Sequence, residues 1–344
     1  MGTDGMDQES CDICGSDAFR PLYEGYDRLH GCPGTFTVVE CRHCGQLTLR
    51  PRPTPEELSR YYPAEYCSHM PQPPPNPAGV LRWLRDLTYA AHFGYDTAPW
   101  ARRSRLAHAF AWLLTIPFRR AFPLLPRAEH RGRLLDLGCG AGAFLDRLKQ
   151  LGWETHGVDI SPEAVKIACS RGHRVVCEVL GDIAYADDAF DVVRANHVIE
   201  HLPAPTRTTE DIFRVLKPGG LLLLALPSAR GLVPRLFGPC TFSLEVPRHL
   251  WMFSANTLAF MLKQAGFTDV RVRQFSEPFL LINSWRYFLQ EHRAPGTCRY
   301  RPLPEWRMRI YSLLLRPLLM LVDLFGAGDM LEASALKPPE RVCR

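Results

Sequence analysis

The feature that most constrains the fold is a glycine-rich loop between a strand pattern and a helix pattern. In RLLDLGCGAGAFLDRL, residues 133–148, an apolar strand precedes the loop and an amphipathic helix follows it. Gly138, Gly140 and Ala143 fit the G-x-G-x-x-G/A spacing with which a βαβ unit brings its backbone close to a dinucleotide. On this loop alone, the sequence predicts an α/β fold, and a nicotinamide-dependent dehydrogenase is one interpretation.

Strand and helix patterns alternate after the loop, which predicts a largely parallel sheet covered by helices. The predicted strands are ETHGVDI, HRVVCEV, FDVVRAN, LLLLALP and TDVRVRQF, and the helices between them are SPEAVKIACSRG, TEDIFRVLKPGG and ANTLAFMLKQAG. Ser161 is a predicted cap with Pro162 in the first turn, and Ser254 lies near a second predicted cap. DMLEASALK, residues 329–337, is the final strand candidate.

Two C-x-x-C pairs stand near the amino terminus, each followed by glycine: Cys11 and Cys14, then Cys41 and Cys44. This spacing suits tetrahedral thiolate ligation of zinc, and the glycines let the backbone turn under the metal. Redox dithiols or reduced core cysteines are the alternatives, with Cys32 and Cys67 as substitute ligands. Because a four-sulfur site has no open position, the predicted Zn²⁺ is structural.

Charge and length exclude some functions. The chain has 344 residues with 41 basic and 36 acidic side chains, a mild net charge of +5 that does not by itself indicate a nucleic-acid binder. The first residues lack the basic start and apolar run of a secretory signal, and no stretch has the length of a membrane span. We therefore expect a cytoplasmic protein.

Further motifs separate this chain from the dehydrogenases. Asp136 precedes the glycines, so that the loop reads D-x-G-x-G-x-G, and Asp159 ends the second predicted strand. Four further motifs follow: GDI from residue 181, FDVV from 190, NHVIEHL from 196 and LKPGGLLLLALP from 216. Over about residues 130–275 and the final strand, this series resembles the class I S-adenosylmethionine-dependent methyltransferases. The resemblance implies a seven-stranded Rossmann-like sheet with an antiparallel last strand and the cofactor, S-adenosyl-L-methionine, at the carboxyl ends of the strands.

The resemblance also implies roles for individual residues. Gly138, Gly140 and Gly142 would let the backbone approach the methionine part, with Asp136 supporting that loop and Asp159 holding the ribose. Asp182 and Ile183 would frame the adenine, although Asp182 could instead be a solvated turn residue, and Asn196 with His197 would close the site. Cys139 and Ile160 complete the predicted cofactor-binding set.

Two histidines are candidate catalytic residues, because a hydroxyl or carbon nucleophile must lose a proton to a base. His201 follows the fourth strand, and His249 lies in EVPRHLWMFS after the fifth. The alternative for His201 is a helix-capping role, and for His249 it is packing of a lid. Arg248 or Glu245 is expected to position the substrate.

The amino-terminal pattern resembles the zinc-ribbon-bearing methyltransferases of bacteria, some of which act on sugars. It implies O- or C-methylation of a sugar, glycan or related small molecule in polysaccharide or natural-product pathways. An RNA methyltransferase that grips its substrate with the ribbon and a non-catalytic cofactor-binding protein are the alternatives. NHVIEHLPAP replaces the N-P-P-Y run of enzymes that methylate exocyclic amines.

Two apolar segments, residues 106–118 and 307–325, are flanked by arginines. We favour two short core helices for the second segment, because Arg316 and Pro317 interrupt it. The alternative is an arginine-flanked apolar face that lies on the inner face of a membrane and suits a lipid-linked glycan.

The predicted organisation follows from these motifs. Residues 1–70 form a zinc-ribbon-like module, 71–129 a proline-rich linker and helical segment, and 130–275 the cofactor-binding core. Residues 276–328 form a helical insertion, and 329–344 the final strand and tail.

Overall fold

A computed structural model describes residues 10–62, 79–121 and 124–339. Its strands are β1 Phe19–Tyr26, β2 Thr35–Cys41, β3 Leu47–Arg50, β4 Arg133–Leu137, β5 Glu154–Asp159, β6 Arg174–Cys177, β7 Phe190–Asn196, β8 Leu216–Pro227, β9 Trp251–Met252, β10 Thr268–Phe275 and β11 Met330–Leu336. Its α-helices are α1 Pro55–Ser59, α2 Gly79–Phe93, α3 Arg105–Thr115, α4 Ala143–Gln150, α5 Pro162–Ser170, α6 Pro205–Val215, α7 Leu232–Phe237, α8 Ala255–Gln264, α9 Pro278–Arg293 and α10 Glu305–Leu324. The predicted linker and Cys67 lie outside the described residues.

The strands form two sheets. A seven-stranded mixed sheet has the order β10-β11-β8-β7-β4-β5-β6, and a four-stranded sheet has the order β1-β2-β3-β9. The strands β7, β4, β5 and β6 run parallel, so that their carboxyl ends meet at one edge. The predicted α/β fold with a seven-stranded Rossmann-like sheet is confirmed.

Local capping chemistry explains where two helices begin. The Ser161 hydroxyl accepts a hydrogen bond from the Ala164 amide at the start of α5, with Pro162 in the first turn. The Ser254 hydroxyl accepts from the Thr257 amide at the start of α8. Both predicted caps are confirmed.

One boundary differs from the prediction. LKPGG belongs to β8, which begins at Leu216, and α6 ends at Val215. Pro218 cannot continue the helical hydrogen bonds, and the Gly219 amide instead donates to the Lys337 carbonyl. Pairing with a distant segment therefore overrides the local helical pattern.

The described residues form two compact units. The first contains the described parts of Met1–Glu65, His197–Glu210 and Ala225–Ala333; the second contains those of Tyr66–Asn196, Asp211–Leu224 and Ser334–Arg344. Each unit combines segments that are distant in sequence. The predicted domain boundaries remain predictions.

In the first unit, the four-stranded sheet fixes a segment distant in sequence. Thr48 and Leu47 of β3 pair antiparallel with Trp251 and Met252 of β9. The Thr48 hydroxyl also donates to the Leu250 carbonyl at 2.9 Å. The residues just before β9 are therefore held by the amino-terminal module.

The second apolar segment forms one helix, α10, and the interpretation as two core helices is wrong. Only Leu319 of α10 is fully buried, whereas Leu313, Leu314 and Leu324 are 76%, 70% and 80% exposed. The interruption at Pro317 does not end the helix. Among the described residues, no helix is long and apolar enough to cross a membrane.

Candidate functional site

The glycine loop lies in the second unit between β4 and α4. Gly138, Gly140 and Gly142 have φ angles of 67°, 53° and 83°, the left-handed region that glycine adopts without strain. A Cβ atom on Gly142 would lie 2.9 Å from the His173 ring. A larger residue at position 142 would therefore push against α5 and its neighbours.

Asp159 ties this loop to the end of β5. Its Oδ2 accepts a hydrogen bond from the Gly140 amide at 2.7 Å, and its Oδ1 accepts from the Ser161 amide at 2.9 Å. Each carboxylate oxygen has a second lone pair, which can accept a hydrogen bond from a ribose hydroxyl. The structure thus brings Asp159 and the glycine loop together, as their predicted common site requires.

Asp136 is held by a residue of a neighbouring strand. Its carboxylate accepts a hydrogen bond from Arg194 at 2.6 Å and is 1% exposed, and its support of the glycine loop stays a prediction. Arg194 also lies over the Phe144 ring, 3.7 Å from its centroid. The carboxylate braces β4 against β7, and Arg194 is a site-supporting residue that the motifs alone did not indicate.

The other predicted cofactor-binding residues lie near the ends of strands or in following turns. Asp182 is exposed in a turn at Leu180–Asp182, followed by half-buried Ile183. Ile160 is 71% exposed after β5, and Asn196 is the last residue of β7. Cys139 is buried within the loop, and its amide donates to the Val158 carbonyl.

In the first unit, Glu200, His201 and His249 lie together and are called the histidine cluster below. One ligating atom of each lies within 4.8 Å of the others. The Leu250 amide donates to the Glu200 carbonyl at 2.9 Å, which joins the two segments that carry the cluster. His197 adjoins it, with its Nδ1 3.3 Å from Glu200 Oε1.

Near pH 7, the Glu200 carboxylate is charged and the rings of His201 and His249 are neutral. Burial lowers the pKa of His201 and of His249 to about 4. Burial would raise the pKa of Glu200, but the His197 hydrogen bond and neighbouring imidazoles lower it to about 2. A small pocket is lined by Glu200 and His249 together with Ser228, Leu244 and Trp251.

Arg248 lies in a buried ion pair, and its expected role in positioning a substrate stays a prediction. Its guanidinium is fully buried and donates to Asp27 at 2.7 Å and to the Tyr61 carbonyl at 3.0 Å. Burial would raise the pKa of Asp27, but Arg248 and nearby backbone amides lower it. This ion pair fixes the segment containing His249 to the amino-terminal module.

The four predicted metal-ligating cysteines lie together in the first unit. Cys11 Sγ is 3.7 Å from Cys44 Sγ, and Cys14 Sγ is 3.6 Å from Cys41 Sγ. Zn–S bonds of about 2.3 Å in a tetrahedron place sulfurs about 3.8 Å apart, so these distances fit zinc. Cys32 lies outside the cluster, with its Sγ 3.6 Å from the Arg60 carbonyl.

The central part of the chain is similar to a known family. Residues 102–272 match a family model described as a methyltransferase domain. An uncharacterized protein of Methanocaldococcus jannaschii is 29% identical over 159 residues, which are 46% of this chain and 76% of that protein.

Two further similarities are to proteins described as methyltransferases. A ubiquinone biosynthesis O-methyltransferase of Xanthomonas oryzae is 34% identical over 100 residues, 27% of this chain, and the matched part spans only 42% of that relative. A solved SAM-dependent methyltransferase from Archaeoglobus fulgidus aligns with a TM-score of 0.43 and 23% identity, over 65% of this chain and 93% of that one.

Proposed function

We propose that this chain, a class I S-adenosylmethionine-dependent methyltransferase, methylates a hydroxyl of a sugar, glycan or related small molecule. The observation that carries the proposal is the contact of Asp159 with the Gly140 amide, which sets a carboxylate beside a glycine loop. S-adenosylmethionine would supply the activated methyl group, so that the protein mainly has to bind and align. The name of the Xanthomonas relative supports an oxygen acceptor.

The residues proposed to hold the cofactor are those of the loop and the strand ends. The glycines at 138, 140 and 142 have left-handed φ angles, and the backbone turn that they allow would let the loop approach the methionine part. Asp159 accepts from the ribose hydroxyls, Asp182 and Ile183 frame the adenine, and Asn196 and His197 close the site. Ile160 and Cys139 line the same turns.

The histidine cluster is proposed to activate the acceptor hydroxyl, as the sequence predicted for His201 and His249. Support comes from the buried, charged carboxylate of Glu200 beside the imidazoles of His201 and His249, since Glu200 and His249 also line a small pocket. His197 has a φ of 55°, a strained conformation for a residue other than glycine. Such strain is frequent at functional sites.

Replacing the buried imidazole tests this role. We expect His249→Ala to reduce methyl transfer about a hundredfold, the usual contribution of a group that assists proton removal, while S-adenosylmethionine binding is retained. Single-turnover transfer and calorimetric binding measure the two effects. His156→Ala is the control, because His156 is a buried histidine outside the cluster. Full transfer by His249→Ala would remove it from the mechanism.

The acceptor class can be identified by transfer of labelled methyl groups into host extract. The products are separated into nucleotide-sugar, lipid-linked glycan and RNA fractions. Label in a sugar or glycan fraction supports the proposal. Label confined to RNA favours the ribbon as a substrate clamp, and tight cofactor binding without any transfer favours a non-catalytic protein.

The four-cysteine cluster is proposed to bind structural Zn²⁺. The sulfur spacings support it, as do Gly15 and Gly45, whose φ angles of 74° and 76° let each knuckle turn. Four thiolates leave no open coordination position. Such a reduced site suits the cytoplasmic location expected from the sequence.

Peripheral contact with the inner face of a membrane is proposed for α10. Trp306, Leu313, Leu314, Leu318 and Leu324 are exposed on this helix, and solvent-exposed apolar patches of this kind mark interaction surfaces. Arg307 and Arg309 are exposed at its first turns and complement anionic lipid. This surface suits an acceptor carried on a lipid.

Two acidic substitutions test the membrane contact. We expect Leu313→Glu combined with Leu314→Glu to lower sedimentation with phosphatidylglycerol vesicles at least tenfold, because each leucine contributes about 1.5–3 kcal/mol when buried. Leu236→Glu is the control, since Leu236 is 58% exposed on α7. Equal sedimentation of the double variant and the wild type would contradict the proposal.

A further inference from the structure

The hydrogen bonds of His201 and His249 indicate which of their ring nitrogens can bind a metal ion. His249 Nδ1 lies 2.8 Å from the Ser243 carbonyl oxygen. His201 Nδ1 lies 3.1 Å from the Arg248 carbonyl oxygen and 3.0 Å from the Tyr62 hydroxyl oxygen, which can accept from the same N–H. Because a carbonyl oxygen only accepts hydrogen bonds, each Nδ1 carries the hydrogen. An imidazole that carries its hydrogen on Nδ1 keeps the lone pair of Nε2 for a metal ion.

The third member is a buried carboxylate, whose Oε1 lies 3.3 Å from His197 Nδ1. Glu200 is 1% exposed, and its Oε2 has no hydrogen-bond partner among the described residues. Arg248, the buried guanidinium in the neighbouring segment, is already paired with Asp27. A buried carboxylate in such surroundings is costly unless a cation or donor satisfies it.

We infer that Glu200, His201 and His249 bind a divalent transition-metal ion such as Zn²⁺. Two imidazole nitrogens and one carboxylate oxygen are a donor set that Zn²⁺ and Fe²⁺ accept while keeping positions open. Bonds of about 2.1 Å place tetrahedral donors about 3.4 Å apart. One ring nitrogen of each histidine and one carboxylate oxygen of Glu200 lie within 4.8 Å of one another.

The surroundings match those of metal-binding histidines. Such a histidine normally donates its other ring N–H to a carbonyl or carboxylate, which fixes the ring and its tautomer. Ser243 and Arg248 supply these carbonyls here. The ion's role in transfer rests on the proposed function: it would bind the acceptor oxygen and lower its pKa.

Metal content and spectroscopy test the site with the full chain. The protein is equilibrated with Zn²⁺, dialysed and analysed for zinc, with folding checked by circular dichroism. We expect about two ions per wild-type chain, one in each cluster, and about one in Glu200→Gln and in His249→Ala. His156→Ala is the control and should keep both.

Cobalt distinguishes the two clusters by their absorption spectra. Co²⁺ at the four cysteines gives intense thiolate charge-transfer absorption, whereas nitrogen and oxygen ligands add only d–d bands. We expect Glu200→Gln to lose d–d intensity and to keep the thiolate bands. Wild-type protein with one ion, or a second ion that persists in both cluster variants, overturns the inference.

Methyl transfer is measured separately from metal content, so that the metal site and the proposed function can fail independently. Two bound ions without methyl transfer to any acceptor leave the metal site intact and contradict the function. Full transfer by protein that holds only the cysteine-bound ion overturns the metal site and preserves the function.

Discussion

Asp159→Ala is expected to abolish S-adenosylmethionine binding, with a loss of affinity of about a thousandfold or more. The carboxylate accepts from the Gly140 and Ser161 amides, and it is proposed to accept from both ribose hydroxyls as well. Hydrogen bonds to a charged group contribute about 1.5–3 kcal/mol each, so losing two of them accounts for the expected change. Calorimetric titration with S-adenosylmethionine and S-adenosylhomocysteine measures it.

The control for this prediction lies on the same strand. Glu154 begins β5, whereas Asp159 ends it, and Glu154 lies near Arg133 and His156 at the opposite end from the glycine loop. We expect Glu154→Gln to bind the cofactor with wild-type affinity. If Asp159→Ala also bound normally, the glycine loop would need another cofactor or no cofactor.

The sequence predicts the central fold because its signals are local. The capping hydroxyls of Ser161 and Ser254 and the left-handed glycines of the loop act within a few residues. The same locality explains the grouping of Asp159 with the loop, since β4 and β5 are consecutive and parallel. Chain order alone then brings their ends together.

Partners from distant segments could not be predicted in this way. Asp136 pairs with Arg194 because β4 lies beside β7, an order that strand patterns do not reveal. Asp27 and Arg248 meet across 221 residues of sequence. For Glu200 the signal was present in NHVIEHL, but its pairing with His249 depends on the contact of Glu200 with Leu250.

The amphipathic helix α10 shows a related limit. A helical period identifies one apolar face but not whether another element covers it. Leu319 packs inward, whereas Leu313 and Leu314 remain exposed. Apolar content therefore predicted helical structure here, but neither the single helix nor its exposure.

Removal of the metal from the four cysteines is expected to unfold the amino-terminal module. Structural zinc contributes about 10 kcal/mol or more of apparent free energy at neutral pH, more than a small module with a limited core can replace. Cys41→Ser, or chelation of the wild type, should abolish amide hydrogen-exchange protection in β1, β2 and β3. Cys32→Ser is the control, because Cys32 lies in the same module outside the cluster.

Removal of this metal should also loosen the segment that carries His249 of the histidine cluster. Leu47 and Thr48 of β3 pair with β9, and Asp27 holds Arg248, so unfolding of the module frees the segment that carries His249. We expect protection around Leu250 and Trp251 to fall together with that of β3. Unchanged exchange in β1–β3 after complete chelation would show that the cysteines do not hold a structural metal. Loss confined to β1–β3 would show instead that the His249 segment is held without the ribbon.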